Sequence, residues 1–219
     1  MKRKQKAKIY GIIEIVLVVY NAEKTIKDSI SSVLSQTYQD WNLTIINDGS
    51  TDKTNKVITK FIEGIDSEKR IKYISCKDNL GLSKRLSDFR PNNFSLFIAR
   101  IDADDIWLPH KLHLQLNELL RDPKLIALGS SAIIQNNKNK FKMRELKCYS
   151  NPLLIKYLLP FKNTFVHSSL IFRKSAFNAV DGYSHRYKFS QDYFLLLNLL
   201  SLGKIKSLKQ TLVILSKSN

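Results

Sequence analysis

The sequence predicts an α/β fold in which a mostly parallel β-sheet is flanked by helices. Over roughly the first hundred residues, short Ile- and Val-rich runs alternate with segments whose apolar residues recur at helical spacing. Strands that alternate with helices are typical of parallel sheets covered by helices. Polar clusters follow three of the predicted strands, and ligands of such sheets bind at the carboxyl ends of the strands. We therefore expect a binding crevice at that edge of the sheet.

The first half of the chain contains four predicted strands and three predicted helices. The strands are rich in β-branched residues, whereas the helices repeat apolar residues every three or four positions. Ile26, Ile30 and Val33, for example, share one face of the first helix. In chain order the predicted elements are IIEIVLVVY, AEKTIKDSISSVLSQ, WNLTIINDGSTD, DKTNKVITKFIEGI, RIKYISC, NLGLSKRLSDF and FSLFIARI.

The second half is less regular, and no linker separates it from the first. Helices are predicted for LPHKLHLQLNELLRD, NPLLIKYLLPF and SQDYFLLLNLLSLG, the last of them ending at Gly203. LIALGSSAIIQ is predicted to be a strand, and HSSLIFRKSAF a strand that leads into a helix. We expect a basic tail over residues 1–10 and a single domain over residues 11–219.

The composition is that of a folded, basic protein. The 219 residues are 43% hydrophobic, which argues against a disordered chain. The 36 Lys and Arg against 19 Asp and Glu give a net charge of +17, which favours nucleic acid, anionic lipid head groups or phosphorylated small molecules as partners. Cys76 and Cys148 support neither a disulfide framework nor a zinc site. No uninterrupted apolar run reaches about 18 residues, so no membrane-spanning helix is predicted.

Three carboxylates follow the fourth predicted strand, in the stretch FIARIDADDIWLP over residues 97–109. Such a cluster requires a positive partner. Alternate residues of an extended segment face the same side, so Asp102 and Asp104 can face one ligand while Asp105 turns away. Two carboxylates with open positions suit Mg²⁺ or Mn²⁺ bound together with substrate phosphates. From these residues alone, an acidic turn that caps the helix after Pro109 is equally consistent.

Spacing excludes several better-known ligand sites. An EF-hand loop that began at Asp102 would need Gly and Glu where the chain has Trp107 and His113. The seven glycines lie too far apart for a dinucleotide-binding motif or a P-loop. A phosphatase of the haloacid dehalogenase type also has Asp-x-Asp after a strand. That motif normally opens the chain, however, so this class stays a minor alternative.

Five stretches of the chain together resemble the family 2 glycosyltransferases. They occur in the order and spacing of that family, and the resemblance covers roughly residues 12–213. It implies the GT-A fold, with a nucleotide-sugar-binding half over about residues 11–105 and a smaller acceptor-side half over about residues 106–219. The stretches are VVYNAEKTIKDSISSVLSQTYQDW, INDGSTD, NLGLSKRL, IARIDADDIWLPHKL and SQDYFLLL.

The resemblance also implies roles for individual residues in binding the donor. Val18 and Tyr20 would border the nucleobase, and Asp48 would accept a hydrogen bond from the base or the ribose. Asp102 would contact the ribose or the sugar, and Asp104 would be the ligand of Mn²⁺ or Mg²⁺.

Further residues are implied in catalysis. Asp192, in QDY, matches the position of the catalytic base, which removes the proton of the attacking acceptor hydroxyl. His167 is a candidate contact to the acceptor or the diphosphate, and Lys84 and Arg85 are candidates for phosphate contacts. Gln191 stands where the family usually has Glu.

The implied function is that of an inverting, metal-dependent hexosyltransferase. Its donor would be a nucleotide-diphosphate-sugar, with a UDP-sugar expected. Its acceptor would be a glycan or lipid-linked saccharide in the synthesis of lipopolysaccharide, capsule or another surface polysaccharide. We expect a cytoplasmic protein, held by its basic tail and basic faces at the anionic inner surface of the cell membrane.

Two other hypotheses remain open. The first is a truncated or catalytically weak family member that binds nucleotide only. The second is a basic nucleic-acid-binding protein, which predicts exposed aromatic residues among clustered Lys and Arg. Here the basic residues are scattered and form no recognised binding motif, so no nucleic-acid partner is expected.

Overall fold

The computed structural model of the chain describes residues 12–65, 70–136 and 143–217. The strands are β1 (Ile13–Val19), β2 (Trp41–Asn47), β3 (Ile71–Ser75), β4 (Phe97–Asp102), β5 (Ile106–Trp107), β6 (Leu125–Asn136), β7 (Met143–Leu146), β8 (Ile171–Arg173) and β9 (Lys204–Lys217). The helices are α1 (Ile26–Leu34), α2 (Thr54–Glu63), α3 (Leu82–Asp88), α4 (Lys111–Arg121), α5 (Pro152–Leu158), α6 (Lys174–Ala179) and α7 (Gln191–Leu199), with a 3₁₀ helix at His167–Ser169.

The described strands form one sheet in the order β3-β2-β1-β4-β8-β6-β9-β5, and β7 pairs with β6. The first four are parallel, whereas β8 runs antiparallel to both β4 and β6. Val18 of β1 pairs with Ile46 of β2 on one side and with Asp102 of β4 on the other. Three strands therefore end level with one another, which brings their polar carboxyl-end residues to one edge.

Alternate side chains of β1 pack into the core on opposite faces of the sheet. Ile13, Ile15 and Leu17 pack in one buried cluster, which includes residues of α1, α2 and α4. Val16 and Val18 point the other way, into a cluster with residues of α3, α5, α6 and α7. All seven residues of the strand are buried. A central strand that is covered on both faces has a nearly continuous apolar sequence, which is why IIEIVLVVY is apolar except for the buried Glu14.

The predicted α/β fold is confirmed, since the structure has a mostly parallel first half flanked by helices. The prediction that the last helix ends at Gly203 is wrong. Helix α7 ends at Leu199, and the chain then turns so that the amide of Lys204 donates to the carbonyl of Lys124 (2.8 Å). That contact begins the pairing of β9 with β6, and β9 was not predicted.

The expected basic tail, residues 1–10, lies outside the described residues. Among the residues that the structure does describe, no helix combines the length and the apolar character needed to cross a membrane. The longest of these helices, α4, has 11 residues.

Candidate active site

The loops after β1 and β2 are tied together at the edge where these strands end. Asn21 adopts a left-handed conformation (φ 48°), and its side-chain oxygen accepts a hydrogen bond from the amide of Thr51 (2.8 Å). Gly49 also has a positive φ, and a Cβ added there would lie 2.8 Å from the backbone of Asp78. Glycine is therefore required at this position on both conformational and steric grounds. These contacts fix the backbone on either side of Asp48.

Asp48 is buried and accepts three hydrogen bonds from the segment that leads into α3. The donors are the amide of Leu80 (3.0 Å), the amide of Gly81 (2.8 Å) and Nε of Arg85 (2.6 Å). Arg85 also donates from Nη2 to the carbonyl of Asp78. The carboxylate thus organises residues 78–85 from within the protein.

Asp102 is held on both of its carboxylate oxygens. The Arg100 guanidinium, which is completely buried, donates to Oδ1 of Asp102, and the Ser168 hydroxyl donates to Oδ2 (3.0 Å). Burial by itself would raise the pKa of Asp102. Burial is the largest single influence, but the positive charge of Arg100 and the hydrogen bonds from Arg100 and Ser168 act against it. The lowering influences together hold that pKa below its ordinary value.

The two following carboxylates have different surroundings. Burial, together with repulsion by Asp102, raises the pKa of Asp104, which is half-buried. Asp105 is buried, and it accepts a hydrogen bond from the amide of Ser216 in β9 (3.3 Å). Burial and the neighbouring Asp102 raise the pKa of Asp105 to about 7.

The first cavity, of about 630 Å³, is lined by the five residues predicted to bind the donor and its metal. Val18 and Tyr20 come from the end of β1, and Asp48 from the end of β2. Asp102 and Asp104 come from the end of β4. In the described part of the chain, no group of three or more His, Cys, Asp and Glu side chains is placed to hold a metal ion.

The second cavity, of about 600 Å³, is lined by Asp192, His167 and Lys84. Leu82 lines both cavities, which are therefore adjacent. Asp192 lies in the first turn of α7, and the side-chain amide of Asn163 donates a hydrogen bond to it (3.0 Å).

His167 is half-buried beside Tyr183, whose hydroxyl lies 2.9 Å from Nε2 of the imidazole. Burial lowers the pKa of His167 to about 4, and the positive charge of Arg100 acts in the same direction. The imidazole is therefore neutral near pH 7. Burial also raises the pKa of Tyr183.

The two candidate phosphate contacts have partners within the chain. Arg85 forms its ion pair with Asp48 and does not line either of the two cavities. Lys84 lines the second cavity, and its ammonium group lies 2.7 Å from the carboxylate of Asp88 in an exposed pair one helical turn away. An exposed pair of this kind is weak, so Lys84 is available to a ligand.

Sequence reasoning missed Arg100, Ser168 and Asn163, each of which holds a predicted site residue. A signal was present for Arg100, because residues two apart on a strand face the same side and Asp102 follows at that spacing. Ser168 and Asn163 lie 66 and 29 residues from the carboxylates that they contact. Local patterns carry no information about such distant pairs.

The structure thus brings carboxylates from the ends of β2 and β4 to one cavity, and Asp192 lines the cavity beside it. Residues 14–181 match the sequence profile described as Glycosyl transferase family 2. The chain belongs to this family.

A curated relative is the Escherichia coli protein WfgD, a UDP-Glc:alpha-D-GlcNAc-diphosphoundecaprenol beta-1,3-glucosyltransferase. The two sequences are 30% identical over 198 residues, which are 90% of this chain and 73% of the relative.

Two solved structures share the GT-A fold. One is S. aureus TarS 1-349 in complex with UDP-GlcNAc (TM-score 0.73, 16% identity, 94% of this chain and 59% of that chain). The other is the mannosyltransferase PcManGT from Pyrobaculum calidifontis in complex with GDP-Man and Mn²⁺ (TM-score 0.66, 13% identity, 96% and 57%). The chain thus spans less than two thirds of the length of either protein.

Proposed function

We propose that this glycosyltransferase moves a sugar from a nucleotide-diphosphate-sugar, preferably a UDP-sugar, to a lipid-linked saccharide or glycan in surface polysaccharide synthesis. One observation carries the proposal: the cavity that contains Tyr20, Asp48, Asp102 and Asp104 adjoins the cavity that contains Asp192. A donor in the first cavity and an acceptor hydroxyl in the second would meet at the boundary near Leu82. The name of WfgD gives a UDP-sugar donor and a lipid-diphosphate acceptor for that relative.

The nucleoside would lie against Tyr20, whose ring is about half-exposed at the cavity edge. Aromatic rings stack on nucleobases without needing a particular hydrogen-bond pattern. The three hydrogen bonds to Asp48 come from within the chain, so we propose that it shapes the base pocket through residues 78–85 and also accepts from the nucleoside. Because Arg85 is bound to Asp48, it is not part of our proposal for phosphate contacts.

The residues fit a divalent cation that is bound jointly with the donor. Asp104 is half-buried and lines the first cavity beside Asp102, and Mg²⁺ and Mn²⁺ are commonly held by one or two carboxylates together with substrate phosphates. The absence of a three-residue metal cluster among the described residues is consistent with such sharing, and PcManGT is a neighbour in fold that was solved with Mn²⁺. When bound, the ion would supply a Lewis acid that neutralises the charge developing on the diphosphate.

Asp192 would act as general base. An acceptor hydroxyl is a poor nucleophile, and a carboxylate within hydrogen-bond reach can take its proton during attack. Asn163 orients the carboxylate from one side. Attack from the side opposite the leaving diphosphate would invert the anomeric carbon in a single displacement. Neutral His167 and the Lys84 ammonium line the same cavity, where they would contact the acceptor or the departing phosphate.

Calorimetric binding of UDP, GDP, CDP and TDP, each with and without Mn²⁺, tests the donor site. We expect UDP to bind most tightly and only with the metal, and Asp104→Asn to weaken it by at least about tenfold. Asp28→Asn is the matched control, because Asp28 is an exposed carboxylate on α1 outside both cavities. If no nucleotide binds under any condition, the proposal fails, and nucleic-acid binding becomes the hypothesis to test.

Turnover tests the role of Asp192. With a UDP-sugar and a synthetic lipid-linked GlcNAc diphosphate, Asp192→Asn should lower kcat by about 10²-fold to 10⁴-fold and leave the Kd for UDP unchanged. An unchanged kcat would exclude Asp192 as the base.

A further inference from the structure

Helix α5 exposes an unusual amount of apolar surface for its length. Only Ile155 and Leu159 of this segment are buried, one helical turn apart on the side that packs into the core. Leu153 and Tyr157 of α5 are 78% and 70% exposed, and Phe161, in the turn that follows the helix, is 78% exposed. The rings of Tyr157 and Phe161 lie 6.1 Å apart. Scattered exposed apolar residues are normal, but a contiguous set marks an interaction surface.

This surface is also cationic and lacks acidic residues. Lys156 and Lys162 are exposed between and beside the apolar side chains. From residue 147 to residue 163 the chain contains three Lys and no Asp or Glu (KCYSNPLLIKYLLPFKN). The ammonium group of Lys162 contacts Tyr149, 3.3 Å from its hydroxyl. Leu, Tyr and Phe mixed with Lys are the residues that seat a helix at the interface of an anionic bilayer. A second copy would place lysines against lysines, which disfavours self-association.

The surface borders the site of the proposed base. Asn163, directly after Lys162, donates to Asp192 (3.0 Å), and the hydroxyl of Tyr193 donates to the carbonyl of Leu159 (2.7 Å). A bilayer in contact with α5 would therefore lie next to the second cavity. A saccharide attached to a lipid in that bilayer could then reach Asp192 without leaving the membrane.

We propose that the α5 face, formed by Leu153, Leu154, Lys156, Tyr157, Phe161 and Lys162, docks on an anionic lipid bilayer. Its place beside the acceptor site rests on the function proposed above, whereas the docking itself does not. Apolar side chains enter the acyl boundary, and the two ammonium groups remain at the level of the anionic head groups.

Sedimentation of the full chain with vesicles tests the apolar contribution. The vesicles are phosphatidylcholine alone, or phosphatidylcholine and phosphatidylglycerol mixed two to one. The variant Leu153→Ser/Tyr157→Ser/Phe161→Ser should partition into the anionic vesicles at least about tenfold more weakly than the parent. The control Phe94→Ser/Leu96→Ser/Leu120→Ser removes three apolar side chains that are 57–68% exposed elsewhere, and it should bind like the parent.

A second pair of variants distinguishes lipid binding by the α5 face from lipid binding by the net charge of the whole chain. Lys156→Gln/Lys162→Gln and Lys56→Gln/Lys60→Gln lose the same two charges, the first on the α5 face and the second on the exposed side of α2. The first should weaken binding to anionic vesicles by roughly tenfold. The second should change it much less. Equal losses would mean that overall charge binds the lipid, and the proposal would fail.

Two further results would overturn the proposal. The first is that the α5 serine variant and its control variant bind vesicles equally well. The other is a dimer, seen by sedimentation velocity without lipid, that only the α5 serine variant dissociates, because the face would then join two copies. Calorimetric binding of UDP to the same preparations shows whether each variant is folded. UDP binding without vesicle binding removes the docking proposal alone, whereas vesicle binding without nucleotide binding removes the transferase proposal alone.

Discussion

The guanidinium of Arg100 donates a hydrogen bond to the carboxylate of Asp102, two residues further along β4. The negative cluster at this strand end therefore has a positive partner within the chain. Arg100 has no exposed surface, whereas about one third of the Asp102 side chain is exposed. Arg100 is thus enclosed by protein, whereas Asp102 faces the first cavity. Arg100 favours the charged form of Asp102 before any ligand binds.

Replacing Arg100 should weaken the fold and the donor site together. In Arg100→Met, Asp102 loses a donor and a compensating charge, so we expect the free energy of unfolding to fall by about 2 kcal/mol, less than for a fully enclosed pair because Asp102 reaches solvent. UDP binding should weaken as well. Arg100→Lys keeps the charge and should recover part of both losses. Denaturant unfolding and calorimetry measure the two effects.

Arg121→Met is the control, because the exposed Arg121 forms a long ion pair with the half-buried Glu118 (3.4 Å). Its effect on unfolding should stay within about 0.5 kcal/mol. An Arg100→Met variant as stable as this control would show that the buried pair does not support the strand end.

Asp48→Asn tests whether Asp48 organises the protein, the nucleotide or both. The amide keeps the shape of the side chain but offers only one acceptor oxygen for three donors. We expect the free energy of unfolding to fall by about 2 kcal/mol, since buried amides and Arg85 lose partners. Urea unfolding with and without UDP measures both roles. If stability is unchanged and only UDP binding falls, Asp48 acts on the ligand alone.

The first half of the fold could be predicted because its signals are local. In β1 to β4 the apolar runs are continuous, and the intervening helices have one apolar face. Each of these elements can therefore be predicted from its own residues alone. The carboxyl ends of three parallel strands then follow from topology. For this reason the sequence alone predicts Tyr20, Asp48 and Asp104 at one edge of the sheet.

The second half depends on pairings between distant residues. Strand β9 pairs with β6 about 80 residues away, and β5 is only two residues long. Neither has a distinctive local pattern. Arg100 shows that prediction from local patterns is limited at the site as well. FIARI has the pattern of an apolar strand, but its single charged residue helps to lower the pKa of Asp102.

Lys111 is a buried lysine that the proposed chemistry does not use. It has no exposed surface, and its ammonium group donates to Gln115 (2.8 Å) and lies 3.8 Å from the centre of the Trp107 ring. Burial lowers its pKa well below 10.5. Between that lowered pKa and 10.5 the unfolded chain binds a proton that the folded chain does not, so stability rises with pH over that range.

Lys111→Met should remove that dependence. It should raise the free energy of unfolding by about 1 kcal/mol at neutral pH, because an apolar side chain of similar length replaces a costly buried amine. The gain should shrink as the pH approaches 10.5. Lys60→Met, on the exposed side of α2, controls for the loss of one charge. Lower stability at every pH would show that the contacts to Gln115 and Trp107 outweigh the cost of burial.

His167 should make the protein sensitive to acid. Its pKa in the folded state is about 4, compared with an ordinary value of 6.5. Between these two values the unfolded chain takes up a proton that the folded chain cannot, so stability falls as the pH is lowered from 6.5 toward 4, by up to about 3 kcal/mol. His167→Gln cannot take up this proton and should show a correspondingly shallower loss. Urea unfolding across that pH range measures it. His110→Gln is the control, since His110 is exposed at the start of α4, and it should keep the parental dependence. If His167→Gln and the parent lose stability in parallel, the imidazole binds its proton equally well in the folded and unfolded chains, and folding does not lower its pKa.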